Sequence, residues 1–454
     1  MTNTNTTNAP GTGAAGRLTV LLSALRQGVA KGQDSVVDLL VRVQAPERPA
    51  ELVGGRRHDL NIALVLDRSG SMRGAAIAEA RKAAQFVVDH LEPGDRCGIV
   101  IYDNVAELLA PAAPVTDRNR LKDLIRTIET RGNTDLHQGW LVGAEALSPF
   151  PVERAISRVI LLSDGNANAG VTDPATIEAQ VVRLAAAGVT TSTLGLGRDF
   201  NEGLMTLIAR AGRGRAYYGE TAEDLMAPFR EEFDLLNAIV GRKVSCLLKP
   251  VTGVSMEVLN PYPRDAQGRI MLPDVAWGSE AVIAVRLHVP AVLAQGTSLV
   301  ELLSASIAYT DLEGQVRGGA SDPLMLPVME AAALAALAPD EMVVRRVAEV
   351  EVSRMQEQAR IASLRGDWEA VDLILRKIRG MAGDNAWVAG MLDEIEQIAR
   401  RRDMARFSKE SMYASRSMSE RLSAVNESYD MTAEERVASH LAKKLRHGRG
   451  RRPD

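Results

Sequence analysis

Between residues 59 and 236, short apolar runs alternate with longer amphipathic stretches, and this pattern constrains the fold more than any other feature. Buried strands are predicted at residues 62–66, 97–102, 156–162 and 189–196. Helices are predicted at residues 74–91, 121–128, 139–147, 176–187, 201–211 and 221–240. Strands that alternate with helices form right-handed βαβ units. We therefore expect an α/β domain with a Rossmann-like, doubly wound parallel sheet covered by helices on both faces.

The regions on either side of this domain follow other patterns. Residues 237–327 contain short β-like runs separated by prolines and glycines, which predicts a β-sandwich. Two apolar stretches within residues 17–58 are expected to join that sandwich as strands, so that the α/β domain is inserted in it. Residues 328–425 predict a C-terminal α-helical region, because apolar side chains such as Val344, Ala348, Val352 and Met355 recur at helical spacing. Residues 1–16 are expected to form a disordered leader and residues 426–454 a basic, mobile tail.

Composition limits the possible partners and compartment. Lys plus Arg total 54 and Asp plus Glu total 58, so there is no basic excess and nucleic acid is not an expected partner. Two cysteines, Cys97 and Cys246, are too few for a disulfide framework and suit a reducing compartment. Residues 1–16 lack the features of a secretory signal, and no stretch approaches the roughly 18 apolar residues that span a bilayer. We expect a cytoplasmic protein without a transmembrane segment; its oligomeric state stays open.

Oxygen-bearing side chains lie at three predicted turns on one edge of the sheet. Asp67, Ser69 and Ser71 lie in the turn that directly follows the first predicted strand, and Asp164 lies in the Ser-Asp-Gly turn, residues 163–165, that directly follows the third. Thr134 lies in a turn before the helix at residues 139–147. The carboxyl ends of parallel strands meet at one edge of a sheet, and oxygen atoms are the ligands that Mg²⁺ takes. These five residues therefore predict one divalent-metal site.

Their order and spacing resemble the metal-ion-dependent adhesion site of the von Willebrand factor type A family. That family's pattern is Asp-x-Ser-x-Ser, then a Thr in a Gly-x-Thr-Asp turn, then an Asp in a Ser/Thr-Asp-Gly turn. The resemblance implies that Ser69, Ser71 and Thr134 bind the metal directly, whereas Asp67 and Asp164 act largely through bridging waters. The implied metal is Mg²⁺, or alternatively Mn²⁺ or Ca²⁺. A coordination position left open would accept an Asp or Glu of a partner protein.

Further segments resemble bacterial members of the family. They are Glu-Pro-Gly-Asp-Arg at residues 92–96, Tyr-Asp at 102–103 and Leu-Gly-Leu-Gly at 194–197. Asn133 departs from the pattern, because many relatives carry a second glycine there. No nucleophile and base pair accompanies the five residues, so we expect a non-enzymatic module for protein–protein interaction. The alternative is a scaffold or an accessory subunit, for example beside a separate ATPase, in which the helical region carries the main contact and the metal is structural.

Other residues near the predicted site have simpler interpretations. His137 could approach its rim, but a role in starting or packing a helix is favoured. Arg68 and Arg73 could steer an acidic partner, but solvated surface charge is favoured. The segment that begins at Asp164 is not a calcium-binding loop of the EF-hand type, because its sixth position is Ala169 and its twelfth is Ala175. Its asparagines, at positions 166 and 168, are expected to shape the turn.

Overall fold

The computed structural model describes residues 17–49, 57–150, 155–165, 167–197, 200–219, 221, 224, 226–382, 386–420 and 423–424. Three strands come first in the described chain. These strands are β1 (Thr19–Ala24), β2 (Val29–Ala30) and β3 (Ser35–Gln44). The predicted leader and basic tail lie outside the described residues.

The central domain alternates strands with helices, as the apolar pattern predicts. Its strands are β4 (Asp59–Asp67), β5 (Arg96–Tyr102), β6 (Ala106–Pro114), β7 (Ala155–Ser163), β8 (Val189–Leu196) and β9 (Arg213–Gly219). Its helices are α1 (Ala75–His90), α2 (Arg118–Arg126), α3 (Leu136–Leu147), α4 (Pro174–Ala187), α5 (Glu202–Ala211) and α6 (Met226–Ala238).

The central sheet is mixed rather than wholly parallel, which corrects the prediction. Its strand order is β6-β5-β4-β7-β8-β9, and β6 runs antiparallel to β5. Residues 103–105 connect these two strands, and so short a connection permits a hairpin but not a crossover to a parallel strand. The apolar pattern missed β6 and β9, because the first is rich in Ala and Pro and the second in Arg and Gly.

Both faces of this sheet are buried, which confirms the predicted Rossmann-like fold. On β4, Ile62, Leu64 and Leu66 belong to one apolar core, and Ala63 and Val65 belong to a second core on the opposite face. The first core includes residues of α1 and α6, and the second includes residues of α3 and α5. Strands buried on both sides read as continuous apolar runs, which is why the sequence revealed them.

The β-sandwich follows the central domain in sequence. Its strands are β10 (Ile239–Pro250), β11 (Ser255–Val258), β12 (Ile270–Met271), β13 (Val275–Ala276), β14 (Ser279–Val289), β15 (Leu299–Thr310), β16 (Val316–Ala320) and β17 (Leu324–Met329). One sheet has the order β1-β3-β14-β11 and the other β12-β10-β15-β17-β2. Because β3 pairs with β14 across ten residue pairs, the N-terminal strands are part of the sandwich. The central domain lies between β3 and β10 in sequence and is thus an insertion.

The C-terminal region is helical after β17. It contains α7 (Ala331–Ala336), α8 (Glu341–Leu364), α9 (Trp368–Ala382), α10 (Ala386–Arg400) and α11 (Met404–Glu420), and a last strand, β18 (Ser423–Ala424), pairs with β14. Within the described residues, no helix is long and apolar enough to cross a membrane.

Helix α8 has two buried faces instead of the single stripe that its sequence predicts. Val343 and Val347, near its beginning, pack against the sandwich, whereas Val352 belongs to the core of the helical region. Val344, which was predicted to lie on a buried face, is 44% exposed. The stripe changes face because the helix contacts two different partners along its length.

Helix α11 returns to the central domain. The ring of Tyr413 stacks on that of Tyr218, with 5.5 Å between the ring centroids. Arg416 Nη1 donates a 2.7 Å hydrogen bond to the carbonyl oxygen of Thr206 on α5. The helical region is therefore attached to the half of the central domain that holds β9 and α5.

Candidate metal site

The first predicted metal ligand, Asp67, is the last residue of β4 and is fully buried. Its Oδ1 accepts a hydrogen bond of 2.8 Å from the backbone N–H of Ser69, and its Oδ2 accepts one of 2.7 Å from Ser163 Oγ. Burial raises the pKa of Asp67, and the hydrogen bonds from Ser69 and Ser163 oppose that shift. A nearby cation would favour the charged form of this carboxylate.

The hydroxyl groups converge in front of Asp67. Gly70–Met72 form a short 3-10 turn, which brings Ser69 Oγ to 3.1 Å from Ser71 Oγ. Ser71 Oγ in turn donates a hydrogen bond of 2.7 Å to Asp164 Oδ1, just after β7. A methyl group at Gly165 would lie 3.2 Å from Thr134 Oγ1 and 3.3 Å from Ser71 Oγ, so Thr134 reaches the same place. The structure thus brings all five predicted residues together.

The spacing of these oxygens fits a small divalent cation. Neighbouring ligands of an octahedral Mg²⁺, with bonds of about 2.0–2.1 Å, are about 2.9 Å apart. Ca²⁺, with bonds of about 2.3–2.6 Å, would need a separation of about 3.3–3.7 Å at right-angled positions. The 3.1 Å between Ser69 Oγ and Ser71 Oγ lies between these two values. Among the described residues no group of three or more His, Cys, Asp or Glu could hold a metal, so this set depends on its hydroxyls.

The residues of the cluster differ in their exposure to solvent. Asp67, Ser69 and Thr134 are buried, whereas Ser71 is exposed and Asp164 is half-buried. A ligand from outside would therefore approach past Ser71 and Asp164.

The turn that carries Thr134 is held by side chains that the sequence did not identify as functional. Asn168 Oδ1 accepts a hydrogen bond from the backbone N–H of Thr134, and the Asn168 N–H donates back to the carbonyl oxygen of Thr134, at 3.0 and 3.2 Å. Asn104 Oδ1 accepts from the N–H of Asn133 at 2.6 Å. Asn168 therefore shapes the turn, as expected, by fixing the backbone of Thr134. Asn166 lies outside the described residues. For Asn104 the sequence carried no signal, because its contact joins residues 29 positions apart.

Ser163 is a further residue that contacts the site. It ends β7, and its hydroxyl orients Asp67. A hydroxyl residue that ends a buried strand next to a predicted acidic ligand is a signal that could have identified it.

Arg68 differs from the prediction of a solvated surface charge. It is only 7% exposed, its Nε donates to Asp103 Oδ2 at 2.7 Å, and its Nη2 donates to Glu107 Oε2 at 3.0 Å. The hairpin of β5 and β6, which the sequence analysis missed, supplies both carboxylates. Arg73 is exposed, as expected.

Asp103 also accepts a hydrogen bond from Arg131. Burial alone would raise the pKa of Asp103, but hydrogen bonds from Arg131, from the N–H of Val105 and from Arg68 hold that pKa below its usual value. His137, by contrast, is turned away from the oxygen cluster, and its Nε2 lies 2.8 Å from Gln180 Oε1 on α4. It therefore has the packing role that was favoured.

Comparison with known proteins agrees with this architecture. Residues 61–231 match the model of the von Willebrand factor type A domain. A solved structure, von Willebrand factor type A from Catenulispora acidiphila, aligns with 92% of this chain and 100% of its own, with a TM-score of 0.67. At 16% identity, that similarity shows a shared fold.

Two protein relatives are more similar in sequence but match in part. An uncharacterized protein from Synechocystis is 27% identical over 290 residues, which are 60% of this chain and 67% of that protein. The human inter-alpha-trypsin inhibitor heavy chain H4 is 26% identical over 34% of this chain, and the match spans 18% of its own length. Residues 61–231 therefore match the von Willebrand factor type A model and have the fold of that domain.

Proposed function

We propose that this domain binds a partner protein through a divalent metal held by Asp67, Ser69, Ser71, Thr134 and Asp164. Ser69, Ser71 and Thr134 are the proposed direct ligands, and Asp67 and Asp164 act through water. An Asp or Glu carboxylate of the partner completes the coordination. The observation that carries the proposal is the convergence of five oxygen-bearing side chains from three loops on one pocket that is open past Ser71.

Mg²⁺ is the proposed metal, because it takes oxygen ligands, keeps several waters and is commonly bound through one or two carboxylates. Mn²⁺ is a suitable substitute for measurement, since octahedral oxygen sites also accept it. Three of the five side chains are neutral hydroxyls. The two carboxylates together carry no more negative charge than the divalent cation carries positive charge. The cation would therefore still attract a partner carboxylate.

Binding explains this set of residues better than catalysis does. Both oxygens of Asp67 already accept hydrogen bonds, so this carboxylate is poorly placed to take a proton from a substrate. His137, the histidine nearest in sequence to Thr134, bonds to Gln180 instead. We therefore propose a non-enzymatic role.

Calorimetric titration with Mg²⁺ and Mn²⁺ tests the site itself. The Ser71→Ala variant removes one proposed ligand from an exposed position and should weaken metal binding strongly. Ser148→Ala is the matched control. Ser148 directly follows α3, at the end opposite Thr134, and its Oγ donates a hydrogen bond to the carbonyl oxygen of Ala144. Absence of binding to the wild-type protein at millimolar metal, or equal affinity in the two variants, would remove the basis of the proposal.

Capture of partners tests the function. The immobilised full-length protein should retain its partner in Mg²⁺ and release it in EDTA. Ser71→Ala should lose the partner, and Ser148→Ala should keep it. Retention by Ser71→Ala and in EDTA would contradict metal-dependent binding.

A second candidate function is the scaffold role, in which the helical region carries the main contact. The observation that favours it is a set of exposed apolar residues on α8 and α9, namely Ile361, Leu364, Leu373 and Met381. Deleting the helical region is a poor test, because Tyr413 packs on Tyr218 of the central domain. The double variant Leu364→Ser/Leu373→Ser alters the exposed face alone. The scaffold role would be favoured if this variant loses the partner while the wild-type protein retains it in EDTA.

A further inference from the structure

We propose that Asp103 is the positioning residue of the metal site, because it binds Arg68 and Arg131 and so holds two ligand-bearing loops together. Arg68 belongs to the loop with Ser69 and Ser71, and Arg131 to the loop with Thr134. The inference rests on the proposed function, since it concerns the affinity of the same site for metal.

The side-chain contacts converge on a single oxygen atom. Asp103 Oδ2 accepts hydrogen bonds from Arg68 Nε at 2.7 Å and from Arg131 Nε at 2.8 Å. Its Oδ1 accepts a bond of 3.1 Å from the backbone N–H of Val105. The contacts of Asp103 are thus with residues next to the proposed ligands and not with the ligands themselves, so it acts through its neighbours. Charge-assisted bonds of this kind are stronger and more directional than neutral ones.

Backbone hydrogen bonds connect the same three segments. The Arg131 N–H donates to Arg68 O at 2.7 Å, and the Gly70 N–H donates to Gly132 O at 3.1 Å. The Asp135 N–H donates to Asp103 O at 2.8 Å. Arg68 immediately precedes Ser69, and Asp135 immediately follows Thr134. A shift of Asp103 is therefore passed to direct ligands on both loops.

The charges in this cluster balance. Arg68 and Arg131 face Asp103 and Glu107, with Arg131 Nη2 at 3.8 Å from Glu107 Oε2. Arg68 is buried, so without Asp103 it would depend on Glu107, whose side chain is 53% exposed. A guanidinium in that position is expected to move toward water and to displace the adjoining Ser69.

The same strand provides a matched control at its other end. Asp95 precedes β5 as Asp103 follows it, and Asp95 is also buried and paired with an arginine, since Arg57 Nη1 donates to its Oδ1 at 2.8 Å. Asp95 also accepts backbone N–H groups, from Leu60 and Glu92. Asp95→Asn therefore removes a buried ion pair of the same kind from the edge of the sheet that lies away from the metal site.

The test compares dissociation constants for Mg²⁺ and Mn²⁺, measured by calorimetry on the full-length protein, with the midpoint of thermal unfolding in EDTA. Asp103→Asn should weaken metal binding by about 10–100-fold, the usual effect of removing a group that orients a metal ligand. Asp95→Asn should lower the unfolding midpoint but leave both dissociation constants within about twofold of wild type.

Arg131 provides a variant that should fold, because its side chain is 64% exposed. Arg131→Gln should weaken metal binding to a value between those of wild type and Asp103→Asn, and Arg131→Lys, which keeps the charge, should recover part of the loss.

Three results would contradict this role of Asp103. They are an unchanged dissociation constant in Asp103→Asn, an equal weakening in Asp95→Asn, and an unchanged constant in Arg131→Gln. If the wild-type protein binds neither metal, the proposed function itself fails. If the wild type binds metal but the variants give one of the three results above, the inference about Asp103 fails and the proposed function does not.

Discussion

Substituting Gly165 by Ala should change which metal the site prefers. The added methyl group would lie 3.2 Å from Thr134 Oγ1 and 3.3 Å from Ser71 Oγ. Ordinary contacts begin at about 3.4 Å, so these two oxygens would have to move away by roughly 0.2 and 0.1 Å. Ligand distances in a metal site are tolerated to within about 0.2 Å, so the shift of Thr134 Oγ1 reaches that limit and the shift of Ser71 Oγ adds to it. We expect a loss of Mg²⁺ affinity of about tenfold, equivalent to ~1.4 kcal/mol.

Ca²⁺ should be affected less than Mg²⁺. The methyl group would lie beside both oxygens, and moving away from it separates them, which suits the longer bonds of Ca²⁺. The backbone tolerates the substitution, because the φ of Gly165 is not positive. Alanine also restricts the unfolded chain, which stabilises the folded state by about 0.4–1 kcal/mol. This gain opposes the cost of the close contacts, so the free energy of unfolding in EDTA should change little.

Calorimetry with Mg²⁺ and Ca²⁺, and chemical unfolding in EDTA, measure these effects. Gly380→Ala is the matched control, because a methyl group at Gly380 meets no other atom within 4 Å. An unchanged Mg²⁺ affinity in Gly165→Ala, or an equal loss for the two metals, would refute the reasoning from these distances.

Other predictions address the support of the site and the rest of the fold. Glu232→Gln should lower the free energy of unfolding by up to about 3 kcal/mol without changing metal affinity, because the buried Arg158 loses its nearer carboxylate, at 3.3 Å, and keeps the more distant Asp274, at 3.7 Å; denaturant titration and calorimetry check both parts. Asn168→Ala should weaken Mg²⁺ binding about tenfold or more, because the N–H of Thr134 loses its acceptor; unchanged affinity would count against this role. Burial raises the pKa of Asp311, but a hydrogen bond from Arg317 and backbone N–H groups lower it overall. Its contribution to stability should therefore be complete above about pH 4 and be lost as the pH falls through the lower pKa of the folded state. The acid side of the pH–stability curve should flatten in Asp311→Asn, and an identical curve would contradict this.

The sequence revealed the strands that carry the ligands because both of their faces are buried. β4 and β7 are buried along almost their entire lengths, and each contains an apolar run, residues 62–66 and 159–162, that leads into a turn with polar ligands. β6 is largely exposed and contains prolines, so it has neither an apolar run nor a turn with predicted ligands after it. With β6 missed, the hairpin that holds Asp103 and Glu107 was missed as well. That omission is why Arg68 was expected in solvent.

The five candidate ligands could be named from sequence for a related reason. Asp67, Ser69 and Ser71 lie within one turn, so local spacing determines their arrangement. Asp164 required the rule that strand ends meet at one edge, and Thr134 required its turn before a helix and the family pattern. The residues that hold these ligands follow no such rule. Arg68 and Asp103 are 35 positions apart, and their contact depends on how two loops pack in the folded protein.

One candidate binding surface lies on the central domain and the other on the helical region, and this separation decides how a partner can be assigned. Of the proposed metal-site residues, Asp67 ends β4 and Asp164 follows β7, in the middle of the sheet. Helix α11 instead contacts Thr206 and Tyr218, on α5 and β9 at the sheet's edge. A substitution at the metal site therefore leaves the attachment of the helical region intact. A partner that depends on both surfaces would have to contact both the central domain and the helical region.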